Sequence, residues 1–293
     1  MPGRNGDLAP IEPRRRRLWP HRNLIPAPPG PAAKERRVSL RLRLLGSGSS
    51  GNAALVRAGR CRILVDAGLA ASRLEAGCRQ EGFEPEALEC VLISHDHSDH
   101  AGSASCFSRR HGLPVFCLDG AEEALARAGR PLPVRLPLLP RLDLGEICVA
   151  AFPVPHDAPN VGWRFEAGGA SIGLVTDLGH VTKMVVENLR DCNVLMIEAN
   201  HDPLRLQEGP YPSWLKQRIS SPAGHLSNRA AAQLAAAAVG PATRIVVLLH
   251  LSERNNRPEL ARREVQSVLS RMGRADIRVE VASRSGLPQP LEL

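Results

Sequence analysis

The sequence predicts an α/β fold in which two β-sheets lie face to face with helices outside them. Apolar strand-like runs alternate with helical patterns from about residue 39 onward. Polar residues able to do chemistry follow these runs directly, at the strand ends where layered α/β folds place their sites. A chain of 293 residues with 43% hydrophobic content can also build a sizeable core. No polar linker divides the pattern, so one domain over residues 38–293 is expected.

Strand-like segments fall near 39–45, 53–57, 61–65, 90–94, 114–118, 146–153, 161–166, 170–176, 193–198, 244–249 and 277–282. Helical patterns fall near 69–80, 100–111, 120–128, 181–189, 228–239 and 258–271. The helix near 228–239 is Ala-rich, and Ser227 or Asn228 suits its N-cap. No internal repeat is visible.

The densest chemistry lies in Ile93-Ser94-His95-Asp96-His97-Ser98-Asp99-His100, where three imidazoles and two carboxylates occupy six residues after an apolar run. In an extended or sharply turned segment His95 and His97 project to one side and reach one cation, while Asp99 and His100 turn toward a neighbouring one. The spacing therefore points to two metals. Other strand-like runs end alike: 147–152 leads into His156, 172–176 ends in Asp177, 245–249 ends in His250, and 61–65 closes on Asp66. A single His or Asp at a strand end is an ordinary terminator; the ordered set is not.

Taken in this order, these residues resemble the metallo-β-lactamase superfamily, which implies a four-layer αββα sandwich. The resemblance implies that His95, His97 and His156 hold one divalent ion and Asp99, His100 and His250 a second, with Asp177 bridging. Asp66 would orient the metal loop without ligating, since a ligating imidazole needs an acceptor for its other N–H. Segments 45–52, 176–180, 198–202, 224–228 and 250–256 are similar to the YycJ/WalJ branch, and the match runs from about Leu40 to about Glu280. That branch implies a 5′→3′ exonuclease on double-stranded DNA. Zn²⁺ or Mn²⁺ would activate water for attack on phosphorus, with Asp99 orienting the water. No Cys occupies a ligand position, because Asp177 and His250 fill those places.

The Gly/Ser loop 46–52 reads equally as a plain hairpin and as a phosphate cradle of backbone N–H groups. It lacks the GK[ST] ending of a Walker loop. The resemblance favours the cradle, with Ser49, Ser50 and Asn52 as substrate contacts. His225 reads as a loop histidine or, by likeness to tRNase Z, as a catalytic group that assists the leaving oxygen. His201 and His180 read as structural loop histidines.

The net charge of +8 is unevenly placed, because the first 37 residues hold nine of the 38 basic side chains and three of the 30 acidic ones. Residues 38–293 are thus left at +2, so bulk charge does not argue for DNA. Residues 1–37, rich in Pro and Arg, are expected to be a disordered basic extension; a salt-dependent phosphate-binding arm is the sharper reading. Seven scattered cysteines without a CxxC pair read as reduced thiols, and no apolar stretch suits a signal or membrane span, so a cytoplasmic location is expected. An RNA-processing endonuclease of the tRNase Z kind, or a hydrolase of thioesters or small phosphodiesters, would share the metal pattern. RNase J-like proteins carry an extra domain for which the 72 residues between Asp177 and His250 leave no room. The pattern leaves the number of subunits open.

Overall fold

The computed structural model describes residues 38–293; the extension expected over 1–37 lies outside the described residues. The first sheet takes its strands almost wholly from the first half of the described chain. They are β1 (Leu40–Gly46), β2 (Ala53–Ala58), β3 (Cys61–Val65), β4 (Cys90–Leu92), β5 (Val115–Cys117) and β6 (Arg135–Pro137). The second sheet follows with β7 (Arg141–Asp143), β8 (Cys148–Val154), β9 (Asn160–Ala167), β10 (Ala170–Val175), β11 (Val194–Glu198), β12 (Ile245–Leu249) and β13 (Arg278–Val281). A last strand, β14 (Leu291–Glu292), returns to pair antiparallel with β1. Strand order is β14-β1-β2-β3-β4-β5-β6 in one sheet and β13-β12-β11-β10-β9-β8-β7 in the other.

Each sheet is half antiparallel and half parallel. In the first, β3 to β6 run parallel; in the second, β10 to β13 do. The inner parallel strands are apolar on both faces, as Ile245-Val246-Val247-Leu248-Leu249 illustrates, because each face is covered. Leu42, Ile63, Leu92, Trp163, Phe165 and Met196 pack between the sheets.

The outer layers come from amphipathic helices. On the first sheet lie α1 (Ala71–Gln80), α2 (Ser98–Ala101), α3 (Ala104–His111) and α4 (Asp119–Arg127), sharing a core with Leu74, Phe107 and Leu125. On the second lie α5 (Lys183–Leu189), α8 (Asn228–Ala238) and α9 (Pro258–Arg271); α6 (Pro203–Glu208) and α7 (Ser213–Ile219) stand between α5 and α8 in the chain. Ser227 caps α8 by accepting from Ala230 N at 3.2 Å. The fold is the αββα sandwich, a stack of four layers.

The single helix expected over 100–111 is two. At Ser103 the backbone N–H leaves the helical ladder and donates to Ala67 O at 2.8 Å, tying the segment after His100 to the end of β3. Helices α6 and α7 were not expected: α7 buries no residue and the six-residue α6 only Leu206, so neither shows an apolar stripe.

Candidate metal centre

Six strands end at one edge: β3 and β4 from one sheet, and β8, β10, β11 and β12 from the other. Asp66, Asp177 and His250 stand at or just past three of these ends in left-handed backbone, with φ of 56°, 55° and 55°. Such a conformation costs a non-glycine residue about 1 to 3 kcal/mol. It swings the side chain off the sheet face and over the edge. Gly68 makes a similar approach possible in the next loop, since a Cβ there would lie 1.7 Å from Asp99 O. Hydrogen bonds from Asn52 N to Asp99 O (2.7 Å) and from Ala67 N to His100 O (2.6 Å) then clamp the histidine loop.

Asp66 fixes the loop from beneath. Its carboxylate accepts from Ser94 N (2.8 Å), Ser94 Oγ (3.0 Å) and His100 Nδ1 (2.7 Å). The bond to Nδ1 leaves His100 Nε2 facing inward, 2.9 Å from Asp177 Oδ2.

Two groups of donors adjoin one another, and a third set, Asp177, Glu198, His225 and His250, overlaps the second. Nitrogens of His95, His97 and His156 lie within 4.8 Å of each other, and so do donor atoms of Asp99, His100, Asp177 and His250. Asp177 lies between the groups: Oδ1 is 4.0 Å from His156 Nε2 while Oδ2 faces His100. The structure thus brings together all seven residues whose pattern suggested ligands. His156 is oriented through Nδ1, which donates to Gly224 O at 3.2 Å. One buried atom here, His95 Nε2, has no hydrogen-bond partner, and Asp177 Oδ2 has only the His100 ring beside it at 2.9 Å. Burying an unsatisfied polar atom costs about 1 to 3 kcal/mol, which a cation at that nitrogen would remove. A set of imidazole and carboxylate donors of this kind fits a divalent cation.

The charges are strongly coupled. Burial pushes His95 down to about 2, so it stays a neutral donor. Burial also opposes charge on His250, but Asp177, Asp99 and Glu198 outweigh it and raise His250 to about 10. His100 is likewise raised by Asp177 and Asp66 against the effect of burial. Burial works against ionised Asp99 and Glu198 as well, yet neighbouring histidines hold both carboxyls at about 2.

Two participants were not singled out from the sequence. Glu198, fully buried at the end of β11, accepts from His225 Nδ1 (2.7 Å) and His250 Nδ1 (3.1 Å) through Oε1, and from Leu178 N (2.8 Å) and Leu226 N (3.3 Å) through Oε2. A charge closing the run Val194-Leu195-Met196-Ile197 was the available signal, the same one that marked Asp177. Asp157 follows His156; its Oδ1 is 3.1 Å from His156 Nε2, and its Oδ2 accepts from Arg218.

His225 joins the edge, with Nδ1 3.6 Å from Asp177 Oδ1. Asn52 is buried in its own loop, where Oδ1 accepts from Gly48 N (2.8 Å) and Nδ2 lies 2.8 Å from His100 Nε2. Ser49 and Ser50 are exposed at the loop tip, and Ser50 Oγ accepts from Arg284 Nε at 3.1 Å. His201 is buried and belongs to none of the donor groups, and His180 donates through Nδ1 to Pro222 O at 2.8 Å. A cleft of about 590 Å³ with walls that include Leu138, Pro140 and Val161 opens beside His156 and Asp157.

Two mixed sheets carrying this edge of histidines and carboxylates define a metal-dependent hydrolase. The chain belongs to the β-lactamase superfamily, whose domain family matches residues 61–251. Among curated relatives, the exodeoxyribonuclease YycJ of Bacillus anthracis is 32% identical over 241 residues, covering 80% of this chain and 91% of that protein. The exodeoxyribonuclease WalJ of Streptococcus pneumoniae is 31% identical over 252 residues, covering 83% and 92%. The metallo-β-lactamase fold protein YhfI of Bacillus subtilis superposes with a TM-score of 0.67 at 20% identity, over 87% of this chain and all of that one. Human tRNase Z, short form, gives 0.57 at 16% identity, over 86% and 98%, a likeness of fold.

Proposed function

We propose that the protein is a nuclease that degrades double-stranded DNA from the 5′ end with two divalent ions, Zn or Mn. The convergence of His95, His97, His156 and Asp99, His100, His250 on either side of Asp177 carries this reading. Relatives named exodeoxyribonucleases, matched over most of both chains, supply the substrate class. The first three histidines would hold one ion, the next three residues the other, and Asp177 would face both. When bound, the ions supply Lewis acidity at a phosphoryl oxygen and acidify water.

The remaining chemistry belongs to side chains. Asp66 holds His100 Nδ1, and Glu198 holds His250 Nδ1, so both rings keep Nε2 directed at the donor group. Asp99, about one-fifth exposed, has an oxygen within reach of attacking water and can orient it. His225, its Nδ1–H donating to Glu198, directs its second nitrogen outward and hands a proton to the departing oxygen. Loop 46–52, with Ser49, Ser50 and Asn52, would receive the substrate phosphates. Residues 38–293 act as one domain in a cytoplasmic enzyme, with 1–37 a dispensable basic extension. No helix of the described residues is long and apolar enough to cross a membrane.

The test is hydrolysis of duplex DNA labelled at the 5′ or the 3′ end, with Mn²⁺, Zn²⁺ or EDTA, beside Asp99→Ala. Metal-dependent mononucleotide release from the 5′ label, lost in the variant, is expected. Cleavage confined to RNA would transfer the site to a tRNase Z-like reading. Activity on small phosphodiesters or thioesters alone would remove nucleic acid from the proposal.

A further inference from the structure

Helix α7 has no buried side chain, though it stands directly at the rim of the metal centre. Its Trp214 is 66% exposed, more than any other large apolar side chain of the described residues, and Leu204 on α6 is 65% exposed. Trp214 therefore offers an aromatic face to solvent that a planar ligand can reach.

The helix is held in place at its far end. Ile219 O accepts from His225 N at 2.9 Å. A Cβ on Gly224 would meet Arg218 O and Ile219 O at 2.3 Å, so only glycine allows this close join. Arg218 lies four residues after Trp214, on the same helix face. Its Nη2 and Nε donate to Asp157 Oδ2 at 2.6 and 3.0 Å. Asp157 Oδ1 is in turn 3.1 Å from His156 Nε2 and 3.5 Å from His97 Nε2. Arg218, one turn from the indole on the same face of α7, thus links the helix through Asp157 to the histidine group. Helix α7 carries Lys216 and Arg218 and no acidic residue, while on α6 Arg205 is accompanied by Glu208.

We propose that Trp214 is a stacking platform for a nucleobase of the substrate strand. It would hold a base one helical turn, about 6 Å of rise, from the arginine beside the metal centre. An aromatic face set among cations matches a polyanion whose bases are planar, and it suits single-strand or end recognition without sequence preference. The inference rests on the nuclease reading and specifies where that substrate sits.

The experiment uses the full-length, metal-loaded protein with Trp19→Phe, which leaves Trp163 and Trp214 as the indoles. Trp163 is wholly buried, so quenching by ligand reports Trp214. A 5′-phosphorylated duplex blocked with phosphorothioate linkages is titrated, and turnover is followed separately on unmodified duplex and on bis(p-nitrophenyl) phosphate. Saturable quenching is expected. Trp214→Ala should weaken duplex binding and kcat/KM about tenfold or more, while leaving the small ester unchanged. Trp214→Phe should recover most of the loss, and an abasic residue at the stacked position should weaken binding by the parent but not further weaken Trp214→Ala. Duplex degraded equally well by Trp214→Ala would overturn the platform and leave the nuclease reading standing. A parallel loss on the small ester, unrescued by phenylalanine, or an indole that mediates only self-association, would also overturn it. A parent that hydrolyses the ester but neither binds nor cuts nucleic acid would remove both.

Discussion

Glu198→Gln is the substitution that most directly probes how the edge is held. The glutamate's two oxygens serve different partners: Oε1 accepts from the Nδ1–H groups of His225 and His250, and Oε2 from the backbone N–H groups of Leu178 and Leu226. A glutamine of equal volume must place its NH₂ against one pair or the other. Either orientation turns two acceptor contacts into donor facing donor. Buried bonds of this kind are worth about 1 to 3 kcal/mol each, so the loss is about 2 to 6 kcal/mol if nothing relaxes. Relaxation has one cheap route, which is to move the histidine protons to Nε2; that nitrogen can then no longer ligate. Stability is recovered at the expense of metal binding. The expected result is thus an affinity for metal lowered about 10- to 100-fold, with turnover falling alongside. Competition against a chromogenic chelator, with metal content measured by mass spectrometry, reads the affinity. Wild-type metal affinity and wild-type turnover in a folded Glu198→Gln protein would refute the orienting role.

Other consequences can be measured separately. Gly68→Ala, whose Cβ would lie 1.7 Å from Asp99 O, should cost about 3 kcal/mol in urea unfolding; an unchanged midpoint would mean that the two loops can part freely. In metal-free protein His250 is raised to about 10, so its stabilisation is complete below about pH 6.5 and is lost as pH rises toward 10. Asp99 and Glu198, held at about 2, stabilise above their ordinary range near 4 and lose that contribution as pH falls toward 2. Thermal melts of EDTA-treated protein should therefore fall from pH 6 to 9, while metal-loaded protein, whose histidines must be neutral, should not. Among the cysteines, exposed Cys106 should react at once with a thiol reagent; Cys61 and Cys78, pushed by burial up to about 12, should react only on unfolding.

The strand ends were legible because a polar residue closing an apolar run is visible in one dimension. Asp66, His95, Asp177 and His250 all carry that mark. Glu198 carries it too, but a lone glutamate is not a usual ligand, and its role arises from imidazoles 27 and 52 residues further along. The left-handed backbone at Asp66, Asp177 and His250 was illegible, since nothing in an Asp or His announces positive φ; glycine would have. Helix α7 escaped notice for the opposite reason. Sequence periodicity reports burial, and a helix that buries nothing leaves no period to read. The break between α2 and α3 depends on Ala67 O, a partner brought near only by the β3–β4 pairing.

The near-neutral charge of residues 38–293 also looks different once the acids are placed. Asp66, Asp99, Asp177 and Glu198 are drawn into the donor edge, three of them almost wholly buried. Two divalent ions, as proposed, would bring four charges to that edge while displacing the protons that His100 and His250 hold in the metal-free protein, so the net gain is positive but smaller than four. The loaded enzyme would then be more positive at this edge, which Arg218 borders through Asp157 and Arg284 through Ser50 of loop 46–52. A polyanion would meet attraction concentrated at the centre, where it is useful, and little over the rest of the surface. Duplex binding should accordingly be stronger and more salt-dependent in the metal-loaded protein than after EDTA. Equal salt slopes in the two states would place the attraction elsewhere, with the nine basic side chains of residues 1–37 as its remaining concentrated source.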